Sequence, residues 1–170
     1  LRDSAVKGIL LDIDSPGGEA GGVFDLADKI FIARKVKPIW AVANDDAFSA
    51  AYAIAAAAER IYLSRTSGIG SIGVIAVHLD QSEAEADAGL KYTAIYAGER
   101  KNDLSPHEPL SDPARTQLQT EVDRVYELFT TTVARMRGLE LTAVKATEAA
   151  LYFGDQSIAV GLADQIGTMG

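Results

Sequence analysis

A chain of 170 residues, 48% of them apolar, can build one ordinary globular core. Its formal net charge of −8 argues against a broad nucleic-acid-binding surface and against docking on an anionic membrane by charge alone. With no cysteine, disulfides, thiolate metal sites and cysteine nucleophiles are excluded. No apolar run reaches the roughly 20 residues that span a bilayer.

The chain opens on Leu1 rather than Met, carries no signal-peptide pattern and runs directly into a strand. A trimmed or processed start is expected, with room for an anchor upstream. Residues 8–13 (GILLDI) read as a buried strand, ending in the turn-rich DSPGGEAGG of residues 14–22. Residues 23–35 repeat apolar side chains at helical spacing, with Val23, Leu26, Ala27, Ile30 and Phe31 on one face and Pro38 as the stop. A second buried strand spans 39–43. A polar turn and an Ala-rich helix follow within 44–60, whose small residues predict close packing on all sides.

A short strand is expected at 61–63, then a glycine-punctuated loop at 64–74 leading into a strand at 72–77. An acidic helix is expected at 79–88 and a strand at 92–96. Residues 97–114 hold three of the five prolines and read as a loop. A long helix at about 113–137 has a stripe of Leu118, Val122, Val125, Leu128, Phe129, Thr132 and Val133. A short helix near 142–149, a turn, a small helix and a terminal edge close the chain. Alternating strands and helices define an α/β fold with a mostly parallel sheet, read as a single domain over 1–170.

Ser49 lies between a strand and the first turn of an apolar helix, the position of a nucleophile elbow, although the G-x-S-x-G string is missing. An ordinary N-cap serine fits the same position. Acyl transfer also needs donors aimed at a developing oxyanion. The glycines of DSPGG let the backbone approach a ligand closely, so the N–H groups of Gly18 and Ala50 form a candidate pair, with a plain tight turn as the alternative. The only histidines are His78 and His107, and neither has an obvious acidic orienter in the sequence. A Ser-His-Asp triad is therefore not indicated. Lys101 is a possible base, since a lysine acts as one in its neutral form, favoured by burial or by substrate excluding water. Read by composition alone, it belongs to an exposed loop. No His/Asp/Glu cluster has ligand spacing for a metal, and no cofactor is implied.

Four segments in order carry a family likeness. They are DSPGGEAGG followed by a helix, a strand and AFSAAYAIAAAAERIY (residues 47–62), SGIGSIGVIAV (67–77), YAGERKNDLSP (96–106), and YFGDQSIAVGLADQIG (152–167). Together they resemble the signal-peptide-peptidase A family of serine proteases, peptidase family S49, which includes phage head proteases and is related to the Clp/crotonase superfamily. The likeness runs from about Val6 to Gly167. It implies a Clp/crotonase-like fold and a Ser-Lys dyad. Ser49 matches the nucleophile, Lys101 the general base and Ser71 the serine that orients the lysine. Gly18 and Ala50 match the oxyanion hole. The family commonly has Ser-Gly-Gly where this chain has Ser49-Ala50-Ala51. The turn is expected to survive so long as neither alanine needs a positive φ. Arg100 precedes Lys101, and only the lysine can serve as a base.

The resemblance further implies an extended peptide or protein substrate and a homo-oligomer, while the acidic net charge points away from a nucleic-acid partner. The role expected first is phage or prophage capsid maturation, in the cytoplasm or on the particle. The alternatives are signal-peptide clearance at a membrane through a segment outside this chain, a crotonase-like acyl-CoA-binding enzyme, and a catalytically silent structural subunit.

Overall fold

The computed structural model describes residues 1–169. Strand β1 (Ile9–Ser15) alternates half-buried and exposed residues along its whole length, the period of a strand with one face inward. It pairs only with β2, so Leu10 stays 48% exposed, and the expected fully buried strand is instead an edge strand. Helix α1 (Val23–Ala33) follows Gly22, whose φ of 73° starts the helix from the left-handed region. Val23 and Ala27 are buried as expected, but Leu26 faces out; Phe24 takes the inner place, its ring 5.6 Å from that of Phe129.

Strand β2 (Ile39–Phe48) is twice the expected length. The polar Asn44-Asp45-Asp46 stretch, expected as a turn, remains strand because β4 (Gly68–Gly70) pairs in parallel with Asp46–Phe48. Helix α2 (Ala50–Ala56) is correspondingly short, seven residues. Strand β3 (Arg60–Leu63) lies parallel to the first half of β2. Further on come helices α3 (Ser82–Asp87), α4 (Asp112–Arg137) and α5 (Leu141–Lys145), strand β5 (Leu151–Phe153), helix α6 (Asp155–Ala159) and strand β6 (Gln165–Ile166). The six strands form one sheet, parallel in every pairing except β4 with β5. The α/β class and the mostly parallel sheet are as the sequence predicts.

The described residues divide into two compact units. The first combines Leu1–Gly73 with the chain from Val125 onward and holds the sheet and the core. Ala41, Ala43 and Ala47 of β2 share the core with Ala53, Ala55 and Ala56 of α2, all at 0–1% exposure. Side chains this small let helix and sheet approach closely at interior packing density. Tyr52 is wholly buried and its hydroxyl donates to Leu162 O at 2.8 Å, so its one polar atom is satisfied. The second half of α4 contributes Phe129, Val133 and Met136 to this core.

The second unit, Val74–Arg124, contains α3 and the first half of α4. The strands expected at 72–77 and 92–96 do not form; both stretches lack regular structure. Their branched and aromatic residues have strand propensity, but no neighbouring strand pairs with them. Ile75, Val77 and Ile95 are 85%, 81% and 96% exposed. Strand propensity expresses packing on a pleated surface, and here that surface is missing. The expected α4 boundaries hold to within one residue, whereas Leu128 of its stripe is exposed.

Candidate active site

The site is built at the ends of two adjacent parallel strands. Phe48, the last residue of β2, is in register with Gly70, the last of β4. The next residues, Ser49 and Ser71, therefore stand side by side, on strands spaced about 5 Å apart. The Ser49 N–H donates to Gly70 O at 2.9 Å, which fixes that juxtaposition. Across β4, the Ser71 N–H donates to Ala150 O at 3.0 Å.

Both serines are strained. Ser49 has φ 51° and ψ −124°, and Ser71 has φ 53°. Non-glycine residues rarely occupy this half of conformational space, and each such residue costs roughly 1–3 kcal/mol. The strain at Ser49 is that of a sharp strand-to-helix turn, which lifts the side chain clear of the sheet. Ser49 makes no side-chain cap bond to α2, so the ordinary N-cap role is not the one it plays. Ala50 and Ala51 lie inside α2 with ordinary φ, as the substitution of alanine for glycine there requires.

Gly17 is the residue that the sequence reading missed. It has φ 111°, and a Cβ built on it would lie 2.7 Å from Ser49 Cβ and 3.0 Å from Phe48 O. Its neighbour Gly18, by contrast, has open space on the side where a Cβ would point. The signal in DSPGG was real, but a run of two glycines does not say which one makes the close approach. Ser15 Oγ accepts the Gly17 N–H at 3.2 Å and holds the loop in place. Gly17→Ala should therefore displace Ser49 while leaving the rest of the core intact. We expect at least a tenfold loss in the rate of Ser49 acylation with a normal far-ultraviolet spectrum; an unchanged rate would show that the contact does not matter.

Gly17, Gly18, Ala50 and Ala51 line one cleft of about 370 Å³. Its floor includes Ile13, Val23 and Ile54, and Asp12, Asp14 and Glu19 also line it. Asn44 Nδ2 donates to Asp12 Oδ1 at 3.0 Å. Four of the five expected site residues, Ser49, Ala50, Ser71 and Gly18, thus belong to the first unit.

Lys101 belongs to the second unit. It is exposed, and its N–H closes a turn on Gly98 O at 3.0 Å. With Leu104, Ala114 and Leu118 it lines a groove of about 560 Å³. The adjacent Arg100 is engaged elsewhere: it pairs with Asp103 at 2.9 Å and donates to Pro113 O at 3.1 Å. The histidines are more ordered than the sequence suggested. His107 Nδ1 lies 2.8 Å from Glu85 Oε1, an acidic partner 22 residues away in sequence, and its ring stacks on Tyr92. His78 Nε2 lies 2.9 Å from Ser105 O.

Ser49 is thus a strained serine at a strand-to-helix turn, with Gly17 packed against it. The chain belongs to peptidase family S49, whose model matches residues 32–170. It is 45% identical over 166 residues to the head-tail preconnector protein GP5 of Enterobacteria phage P21, covering 98% of this chain and 33% of that one. It is 42% identical over 164 residues to the capsid assembly protease C of Escherichia phage lambda, covering 96% of this chain and 37% of that one. The chain therefore spans about a third of the length of these curated relatives. Among solved structures it resembles the S97A mutant of the 1510-N membrane-bound stomatin-specific protease. The TM-score there is 0.58 at 14% identity, over 96% of this chain and 66% of that one, a likeness of fold. Among the described residues, no helix is long and apolar enough to cross a membrane.

Proposed function

We propose that this chain is a serine endopeptidase of the capsid-maturation type, acting through Ser49 and Lys101 on a Clp/crotonase-like fold. The observation that carries the proposal is the conformation of Ser49, strained at φ 51° with Gly17 against it, in a chain of the S49 family. Ser49 Oγ attacks the carbonyl of an extended peptide and forms an acyl-enzyme, while Lys101 Nζ takes its proton. The same lysine returns the proton to the leaving amine, and water then releases the acyl group. Ser71, beside Ser49, orients the lysine amine. The N–H groups of Ala50 and Gly18, which share the cleft, stabilise the oxyanion.

The phage assignment rests on the names and identities of the two phage relatives, each above 40%. On this reading the chain acts in the cytoplasm or on the assembling particle, as a homo-oligomer, on capsid-associated proteins. A fluorophosphonate probe followed by peptide mass mapping tests the chemistry: a single adduct on Ser49 is expected. An adduct elsewhere, or none, would count against the proposal.

A further inference from the structure

Both histidines of the chain hold the same short segment, and that segment follows Lys101. Residues 98–105 fold as successive turns: Lys101 N–H donates to Gly98 O, Asp103 N–H to Arg100 O and Ser105 N–H to Asn102 O, at 3.0–3.4 Å. Arg100 ties these turns to Pro113 O and Asn102 ties them to Glu108, and their C-terminal end is gripped separately. Here the grip is on residues 105–107. His78 Nε2 meets Ser105 O at 2.9 Å, the Gln81 N–H donates to Pro106 O at 2.9 Å, and His107 pairs with Glu85.

The last contact is the most elaborate. His107 Nδ1 lies 2.8 and 3.0 Å from the two oxygens of Glu85. Gln81 Nε2 donates to the same carboxylate at 2.7 Å, and the Glu85 side chain is only 13% exposed. The imidazole lies flat on Tyr92, with centroids 3.7 Å apart and planes 12° apart. An ion pair on a mobile surface contributes little. A carboxylate this enclosed, with two donors on it and its partner stacked on a ring, defines a single position for residue 107.

We infer that Glu85 and His107 are positioning residues for Lys101, an inference that rests on the reading of Lys101 as the general base. The pair touches no reacting atom. It fixes the end of the segment six residues after the lysine, and so limits where the amine can be. An imidazole stacked and bonded in this way orients the loop just as a triad carboxylate orients its histidine, one step further from the chemistry.

The test is the inactivation of the chain by a fluorophosphonate, resolved into the binding constant KI and the maximal rate kinact. His107→Ala and Glu85→Ala should each lower kinact about tenfold with KI unchanged, since a displaced base slows the chemistry and not the encounter. Amide exchange over residues 98–106 should accelerate in both. Glu85→Gln keeps an oxygen that accepts the His107 N–H, and should restore kinact to within about threefold of wild type. Wild-type rates in His107→Ala and Glu85→Ala would overturn the inference while leaving the peptidase reading intact. A loss in Glu85→Gln equal to that in Glu85→Ala would also overturn it, because charge and not hold would then be the cause. So would a His107→Ala loss as deep as that of Lys101→Ala, which would make the histidine a chemical participant. An unlabelled wild-type chain would remove the peptidase reading and this inference together.

Discussion

Ser49→Ala is expected to abolish fluorophosphonate labelling and to lower peptide cleavage by roughly 10⁵–10⁶-fold, with the fold unchanged. Lys101→Ala should cost nearly as much, and the double variant no more than either single one, because a nucleophile and its base act as a unit. Lys101→Arg is the informative control. It keeps the charge and most of the length, but a guanidinium stays protonated and cannot take the serine proton. Activity of Lys101→Arg should therefore be as low as that of Lys101→Ala. If either lysine variant retained a tenth of wild-type activity, the base would have to be sought elsewhere. Each variant is compared by circular dichroism so that loss of fold is not mistaken for loss of chemistry.

The second large effect is on stability. Arg137, at the end of α4, forms a two-point ion pair with Asp164, Nη1 to Oδ2 and Nη2 to Oδ1, both at 3.0 Å. Its side chain is 8% exposed, and it also donates to Gly161 O. Asp164 in turn accepts the Ile61 N–H at 2.7 Å, which ties the C-terminal turn to β3. Arg137→Ala should destabilise the chain by about 2–4 kcal/mol, because it leaves a part-buried carboxylate without its charged partner and empties the place of a buried side chain. For a domain of this size that is a fall in Tm of roughly 10 °C.

The same pair sets a pH dependence. Burial pushes the Asp164 carboxyl up, but the Arg137 and Ile61 hydrogen bonds outweigh it and hold the group below its ordinary value of 3.8. A depressed carboxyl stabilises the fold fully above that ordinary value, and the contribution is lost as pH falls through the folded-state value. The gap in Tm between wild type and Arg137→Ala should therefore be widest near neutrality and shrink in acid. A gap that stayed constant from pH 7 to pH 3 would show that the pair is not the source of the difference.

The class of the fold was legible in residues 8–63 and 113–167, where period-two and period-3.6 patterns coincide with real neighbours. Strand β2 was read too short because Asn44-Asp45-Asp46 looks like a turn. Its pairing with β4, from 20 residues further on, and with Ser15 of β1 keeps it extended. The stretches 72–77 and 92–96 failed in the opposite sense: their composition suits a strand, and nothing pairs with them. At the site, Ser49 and Ser71 were picked out as candidates by motif likeness, while the Phe48–Gly70 register that joins their strand ends is encoded in no local pattern. Gly17 was passed over because spacing cannot tell which of two adjacent glycines faces a neighbour's Cβ. Glu85 escaped notice as one of several acids on a short helix; its partner lies beyond any sequence window.

The left-handed backbone at positions 49 and 71 also bears on how such chains diverge. Glycine would occupy either position without strain, so a lineage released from the need for a hydroxyl gains stability by changing serine to glycine. Drift and thermodynamics then point the same way. On the proposed mechanism, a descendant still carrying serine at both places has been kept from the easier residue, and one carrying glycine at 49 would lack the nucleophile while keeping the scaffold. On that mechanism the two positions would serve as a simple marker for sorting active from inactive members of the family.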